Sequence, residues 1–319
     1  MDFREAAAFL KARDNYLILI HKRPDGDTTG CAAGLCRALR ALGKTAWVLP
    51  SPDGTALLMG YLDGLTAPEG YEPDTVVSVD VAALGLLPPN AEPYKNSVDL
   101  AIDHHPSQEF FAKETCLEAD RAACGEIVWN ICKELGVTGA GVAAPLYVAV
   151  STDCGCFVYA NTTPHTHRTA AELMEQGIDY KALNKKHFRT KSRKRMMLEG
   201  MLYQRMKFYH DGTVAVAPVT LELLNSIGAT SEDTDDITAF AGQIEGVLHS
   251  VTIREHEGGE FRISVRTRAD LLNATKVCAR LGGGGHRAAS GCTFKGTAEE
   301  AEQAILAAID QQLAQPDQD

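Results

Sequence analysis

Four predicted elements in the first half of the chain end in an aspartate or a histidine. The endings read His21-Lys-Arg-Pro-Asp25-Gly-Asp27, Val-Ser-Val-Asp80, Ala-Ile-Asp103-His104-His105 and Ser-Thr-Asp153-Cys-Gly. The first follows Asn15-Tyr-Leu-Ile-Leu-Ile20, a short, continuously apolar run of the kind a strand buried on both faces requires. Further strands are expected at 45–49, 75–79 and 97–102. Helices are expected at 30–42, closed by Gly43, at 124–135, closed by Gly136, and at 142–151, leading to Asp153. Strands alternating with helices make a parallel, doubly wound α/β sheet, and such sheets bind ligands beyond the carboxyl ends of their strands. His21, Asp80 and Asp103 each follow such an end, so residues far apart in the chain are expected to meet.

What meets is chemically uniform. Carboxylate oxygens with a few imidazoles suit hard divalent ions such as Mn²⁺ and Mg²⁺, and two such ions roughly 3.5–4 Å apart form the clamp used for in-line attack on phosphorus. The inventory therefore points to hydrolysis of phosphoesters or phosphoanhydrides. Three of the endings also have a plainer explanation: Asp27 or Thr28 could cap the following helix, Asp80 could cap another, and Asp103-His104-His105 could be an exposed turn. A capping account must be invented separately for every site, whereas the metal account covers all of them.

A chain of 319 residues suits two domains. Its hydrophobic content of 45% and charged content of 23% are those of a soluble globular protein. No apolar run nears the roughly 20 residues needed to cross a bilayer, and Met-Asp-Phe-Arg-Glu lacks the cationic start of a secretory signal, so a cytoplasmic protein with no membrane role is expected. The nine cysteines include no Cys-x-x-Cys and point to buried free thiols rather than disulfides or zinc. A net charge of −11 repels a long polyanion, which excludes long duplex nucleic acid and leaves short partners.

Residues 183–200 change character, with Lys185, Lys186, Arg189, Lys191, Arg193, Lys194 and Arg195 and little acidic relief. A solvated linker helix is the simpler reading, and steering of an anionic substrate into an interdomain cleft the alternative. After the turn His210-Asp-Gly212, a second unit is expected with strands at 213–219, 247–255 and 260–267, the last two around Gly258-Gly259. A helix near 271–281, the run Gly282-Gly-Gly-Gly285-His286, an Ala-rich helix at 297–313 and a disordered tail at 314–319 complete it. His165 and His167, after Asn161-Thr-Thr-Pro164, read as exposed surface residues.

Taken in order, the four endings and the later Gly282-Gly-Gly-Gly285-His286-Arg-Ala-Ala-Ser-Gly291 resemble the four motifs of the DHH phosphoesterases and the glycine-rich motif of their DHHA1 domain. The resemblance covers nearly the whole chain. It is closest to the branch of bacterial nanoRNases and 3′-phosphoadenosine-5′-phosphate (pAp) phosphatases, whose two domains enclose the substrate. It implies a DHH domain at 1–185, a linker helix at 186–210 and a smaller α/β DHHA1 domain at 211–319. It also implies that His21, Asp25 and Asp80 hold one divalent ion, and Asp27, Asp80, His104 and Asp153 the other. Asp80 would bridge, Mn²⁺ being expected and Mg²⁺ the alternative, and a hydroxide between the two ions would attack phosphorus. Asp103 would orient a histidine, while His105 would contact the scissile phosphate or assist proton transfer. Arg266, Gly283, Gly284, Gly285 and His286 would grip a phosphate away from the metals, the glycines letting backbone N–H groups approach an oxyanion, with Arg268 a solvated or secondary contact. Thr28, Cys31, Gln108 and Cys154 depart from the usual residues; none is expected to touch an inferred ligand, so only fine substrate preference should differ.

The activity this implies is metal-dependent hydrolysis of short single-stranded oligonucleotides and of nucleotide bisphosphates such as pAp, by a chain for which a homodimer is an open state. A phosphodiesterase for cyclic or linear dinucleotides would use the same metals. Ser192-Arg-Lys-Arg195 faintly suggests the DHH inorganic pyrophosphatases, but those lack the glycine-rich ending. A nucleotide-sensing module without turnover would be expected to lose metal ligands, and this chain keeps six.

Overall fold

The structure is a computed structural model that describes residues 1–230, 232–234 and 237–315. The chain divides into two compact units between Thr190 and Lys191. The first contains α1 (Phe3–Ala12), β1 (Tyr16–Leu19), α2 (Gly26–Ala41), β2 (Ala46–Leu49), the single turn α3 (Ala56–Met59), β3 (Thr75–Val79), β4 (Leu100–Asp103), β5 (Glu114–Leu117), α4 (Cys124–Leu135), α5 (Ala140–Asp153), α6 (Pro164–Glu175) and α7 (Tyr180–Asn184). Its five strands are all parallel in the order β2-β1-β3-β4-β5. The apolar run at β1 is buried on both faces, as its composition requires. Tyr16 and Ile18 join a core with Leu10, Leu35, Leu39 and Trp129, while Leu17 and Leu19 join another with Val76, Val98 and Leu87. The strand order reverses between β1 and β3, which opens a crevice at their carboxyl ends.

Several boundaries differ from expectation for local reasons. α2 begins at Gly26, not at 30, because the Asp25 carboxylate accepts from the backbone N–H groups of Asp27 and Thr28 and caps the helix itself; Asp27 and Thr28 are not the caps. α5 runs on to include Asp153 and passes through Pro145, which cannot donate to the Gly141 carbonyl; Arg37 of α2 donates to that oxygen instead, at 3.0 Å. The strand expected at 97–102 starts at Leu100 and extends through Asp103, and β5 beside it is an additional edge strand. After α7 a π-helical turn, Lys185–Arg189, is pinned by a 2.7 Å hydrogen bond between the Tyr61 hydroxyl and His187 Nε2, with Lys186 over the same tyrosine ring.

The second unit contains α8 (Arg193–Arg205), β6 (Lys207–Tyr209), β7 (Val214–Val219), α9 (Leu221–Ser226), β8 (His249–His256), β9 (Glu260–Thr267), α10 (Ala274–Ala279), β10 (Gly284–His286), β11 (Ala289–Lys295) and α11 (Ala298–Ala314). The sheet order is β10-β11-β9-β8-β7-β6, with only β7 and β8 parallel. α10 and α11 pack Val277, Ile305 and Ile309 onto Val251, Ile263 and Val265. Much of the basic stretch is committed internally: Lys191 and Arg195 both pair with Glu199, and Lys194 donates to the Gly228 carbonyl. α11 runs to Ala314, and the remainder of the tail expected to be disordered, 316–319, lies outside the described residues. No helix among the described residues is long and apolar enough to cross a membrane.

Candidate metal centre

The carboxyl ends of β1, β3 and β4, the start of α2 and the end of α5 bring six side chains together. His21 Nε2 lies 3.6 Å from Asp25 Oδ1 and 3.7 Å from Asp80 Oδ2. His104 Nε2 lies 3.5 Å from Asp80 Oδ1, 3.7 Å from Asp27 Oδ2 and 3.8 Å from Asp153 Oδ2. The two oxygens of Asp80 thus face two different donor groups, His21 with Asp25 on one side and His104 with Asp27 and Asp153 on the other. In each group one donor atom per residue can be chosen so that all lie within 4.8 Å of one another; Asp80, His104 and His105 form a third such group. Asp80 is held there with a left-handed backbone, φ 59°, its N–H donating to the Ile102 carbonyl of the next strand. Left-handed geometry is tolerated by aspartate and, at a ligand-lined corner, is characteristic of strain stored at functional sites.

The electrostatics are compatible with a cation site. Burial and the neighbouring Asp80 and Asp153 carboxylates push the Asp27 pKa well above its ordinary value. Burial raises Asp153 as well, aided by Asp80 and Asp25. Burial alone would lower His21, but Asp25 and Asp80 together carry it up to about 10; His104 moves in the same direction against its own burial, through Asp80 and Asp27. Carboxylates crowded this closely need positive charge among them. Asp80 Oδ1 is buried without a hydrogen-bond partner, a costly state for a carboxylate oxygen. His104 Nδ1 lies 3.1 Å from the Arg121 carbonyl, which can only accept, so Nδ1 carries a proton and Nε2 is the nitrogen turned to the cluster, where a cation would replace its proton. An oxygen-rich donor set with two imidazoles fits hard divalent cations.

Around the six stand groups that hold them. Asp103 is fully buried and accepts from the His104 and His105 N–H groups, from His105 Nδ1 at 2.8 Å and from Gln108 Nε2 at 2.7 Å. His105 is therefore oriented with Nε2 free of that bond. The Asp27 carboxylate accepts from the N–H groups of Cys124 and Gly125, the first turn of α4, and from Cys31 Sγ at 3.2 Å. Cys31 therefore does touch an inferred ligand, contrary to expectation. Residues 27 and 31 lie one helical turn apart, which puts the thiol beside the carboxylate. Thr28 donates to the Val79 carbonyl next to Asp80, and Gln108 reaches Asp103, so three of the four departures support the site rather than lying clear of it. The α4 amides had no signal in sequence, since any helix start can offer them. His165 is another correction: it is half-buried, with Nδ1 on the fully buried Glu126 carboxylate. His167 is exposed and stacks on Phe157.

In the second unit Arg266 of β9 and His286 of β10 both stand opposite Ala289 of β11, on one rung of the sheet. Arg266 lines a cavity of about 320 Å³ with Ser250, Gly242 and Leu248, and donates to Thr238 Oγ1; His286 is exposed. Arg268 is exposed and paired with Asp270. The glycines serve the hairpin: a Cβ on Gly283 would meet the Gly291 carbonyl at 2.2 Å, and Gly285, with φ 144°, would meet the Ala289 carbonyl at 2.7 Å. Gly284 has open space at that position. Ser192, in the stretch that suggested pyrophosphatases, caps α8 and donates to Asp233.

Comparison with known proteins agrees with this architecture. The model of the DHH family, N-terminal domain, matches residues 15–178, and that of the DHHA1 domain matches residues 211–315. The chain is similar to the "Bifunctional oligoribonuclease and PAP phosphatase NrnA" of Thermus thermophilus, with 34% identity over 97% of this chain and 94% of the relative. The protein of the same name from Bacillus subtilis is 25% identical over 88% of this chain and 90% of its own length. Among solved structures, an exopolyphosphatase-related protein from Bacteroides fragilis superposes with a TM-score of 0.87 at 24% identity, covering 98% of this chain and 96% of that one, and so shares the fold. With both domain models matched in order and a relative above 30% identity spanning nearly all of it, the chain belongs to the DHH family, its DHH domain followed by a DHHA1 domain.

Proposed function

We propose that this protein is a metal-dependent phosphoesterase that hydrolyses short single-stranded oligonucleotides and nucleotide bisphosphates such as pAp, with Mn²⁺ as the preferred ion. The observation that carries the reading is Asp80, whose two oxygens face two separate groups of donors. The names of the Thermus and Bacillus relatives support the substrate class. His21, Asp25 and Asp80 would hold one cation, and Asp27, Asp80, His104 and Asp153 the other. Two divalent ions supply Lewis acidity, neutralising phosphoryl oxygens and acidifying water. The chain's own residues do the rest. Asp103 fixes the His105 ring through Nδ1, leaving Nε2 to contact the scissile phosphate or pass a proton to the leaving oxygen. Arg266 and His286 would take a phosphate remote from the reacting one, and a net charge of −11 offers no long basic track for further phosphates.

The test is a product time course in Mn²⁺ on pAp, a labelled dinucleotide, a labelled 20-mer, a cyclic dinucleotide and pyrophosphate. Release of phosphate from pAp and a higher kcat/KM on the dinucleotide than on the 20-mer are expected. Preference for the long strand, or hydrolysis of pyrophosphate alone, would overturn the reading.

A further inference from the structure

The loop that follows Asp103-His104-His105 is stitched to the carboxyl edge of the sheet more heavily than an ordinary turn. Gln108 N–H donates to the His105 carbonyl, and Glu109 N–H to the Ala82 carbonyl, two residues beyond Asp80. The buried Gln108 side chain donates to the Val81 carbonyl and to Asp103 Oδ2, and its own oxygen accepts from Phe110 N–H at 3.2 Å. These bonds hold Phe110 at φ 51°. Left-handed backbone at a bulky residue is an outlier that persists only where the surroundings enforce it. The residue so placed is largely in solvent: Phe110 is 64% exposed, whereas its neighbour Phe111 packs against the core beneath the sheet. An isolated exposed phenylalanine needs no explanation. One held in a strained conformation, two hydrogen bonds from the aspartate that orients His105, is an exposed apolar plane on the loop that leaves the candidate centre.

We propose that Phe110 is a stacking platform for a nucleobase of the bound substrate, resting on the nucleotide reading of the site given above. Phosphates are served by cations and donors, and a neutral aromatic face has nothing to offer them. Bases stack on such faces with little regard to sequence, which suits an enzyme that must accept any short oligonucleotide. Phe110 is thus a specificity residue for base-bearing substrates and takes no part in the bond-breaking step.

The experiment measures kcat and KM for wild type, Phe110→Asn and Phe110→Trp on a dinucleotide and on the same dinucleotide lacking its bases. Asparagine accepts left-handed backbone, so Phe110→Asn relieves strain and should melt no lower than wild type. It should raise KM for the dinucleotide about tenfold with kcat little changed, and leave the base-free substrate unaffected. Phe110→Trp should restore wild-type KM. An unchanged KM in Phe110→Asn, or an equal loss on the base-free substrate, would overturn the proposal. Failure of wild type to cleave either dinucleotide would overturn the functional reading, and the stacking role with it.

Discussion

Gly30→Ala tests whether the packing of α2 on α5 sets the ligand geometry. A Cβ at Gly30 would lie 2.3 Å from the Pro145 carbonyl oxygen, 2.9 Å from Ala149 Cβ and 3.0 Å from Ala149 N. None of these atoms can rotate away. Ordinary contact begins near 3.4 Å, so the two helices must part by about 1 Å or bend locally. Gly30 lies one turn beyond Asp27, and Asp153 ends α5, so the opening separates two carboxylates that both face His104. Overpacking of this kind costs about 1–3 kcal/mol, partly offset by the roughly 1 kcal/mol that alanine gains over glycine in a helix. A displacement of about 1 Å in a reacting group can cost about 100-fold in rate. The expectation is therefore a modest loss in urea unfolding free energy with a disproportionate fall in kcat on pAp at saturating Mn²⁺. Gly34→Ala is the control: its Cβ would meet Leu146 side-chain carbons at 2.7 Å, which can turn aside, and it lies a further turn from the ligands. Wild-type kcat in Gly30→Ala, or equal losses in both variants, would refute the argument.

Asp80→Asn should lose bound Mn²⁺ by elemental analysis and reduce kcat by more than about 100-fold, while Asp103→Asn, which disturbs only an orienting group, should retain metal and fall by about 10–100-fold; two ions and full turnover in Asp80→Asn would sink the bridge. Arg266→Ala or His286→Ala should raise KM for pAp while sparing a small activated diester, and equal kcat losses on both substrates would place them at the metals instead. Burial, with Lys186 beside it, lowers the His187 pKa to about 4, below the 6.5 of the unfolded chain. The native state thus refuses a proton that the unfolded state accepts, so this stability is present above pH 6.5 and is lost as pH falls toward 4. Between about pH 7.5 and pH 5 wild type should lose roughly 1–2 kcal/mol more than His187→Gln, allowing for partial exposure, and identical pH dependence would count against it.

Legibility followed locality. The apolar run at Tyr16–Leu19 and the left-handed cap at Gly136 are written in adjacent residues, and so are the Asp-Gly-Asp and Asp-His-His clusters that the sheet brings together. β5, β6 and β10 escape a reading of the sequence because edge strands of three or four residues carry too few alternations to stand out. The grip of Cys124 and Gly125 on Asp27 and the Glu126–His165 pair were invisible for a different reason. Both join segments dozens of residues apart, and a glutamate in a first turn looks like an ordinary helix-dipole partner on the surface. The glycine-rich run is legible as a motif, yet the demands on Gly283 and Gly285 come from β11, which sequence spacing does not reveal.

The six donors come from four stretches of chain between His21 and Asp153, and no stretch contributes enough of them to hold a cation alone. A zinc finger folds around its ion because its ligands are neighbours in a short peptide. Here β1 and β3 must already lie side by side before Asp80 faces His21, and α5 must have docked on α2 before Asp153 reaches His104. During synthesis an ion therefore has no nucleus to template. Its capture would have to follow completion of the parallel sheet, whose non-local pairings are intrinsically slow to form. On the metal-dependent reading proposed above, a newly made chain would be an apoprotein first, and the crowded carboxylates would make the late arrival of cations a source of stability rather than a route to the fold.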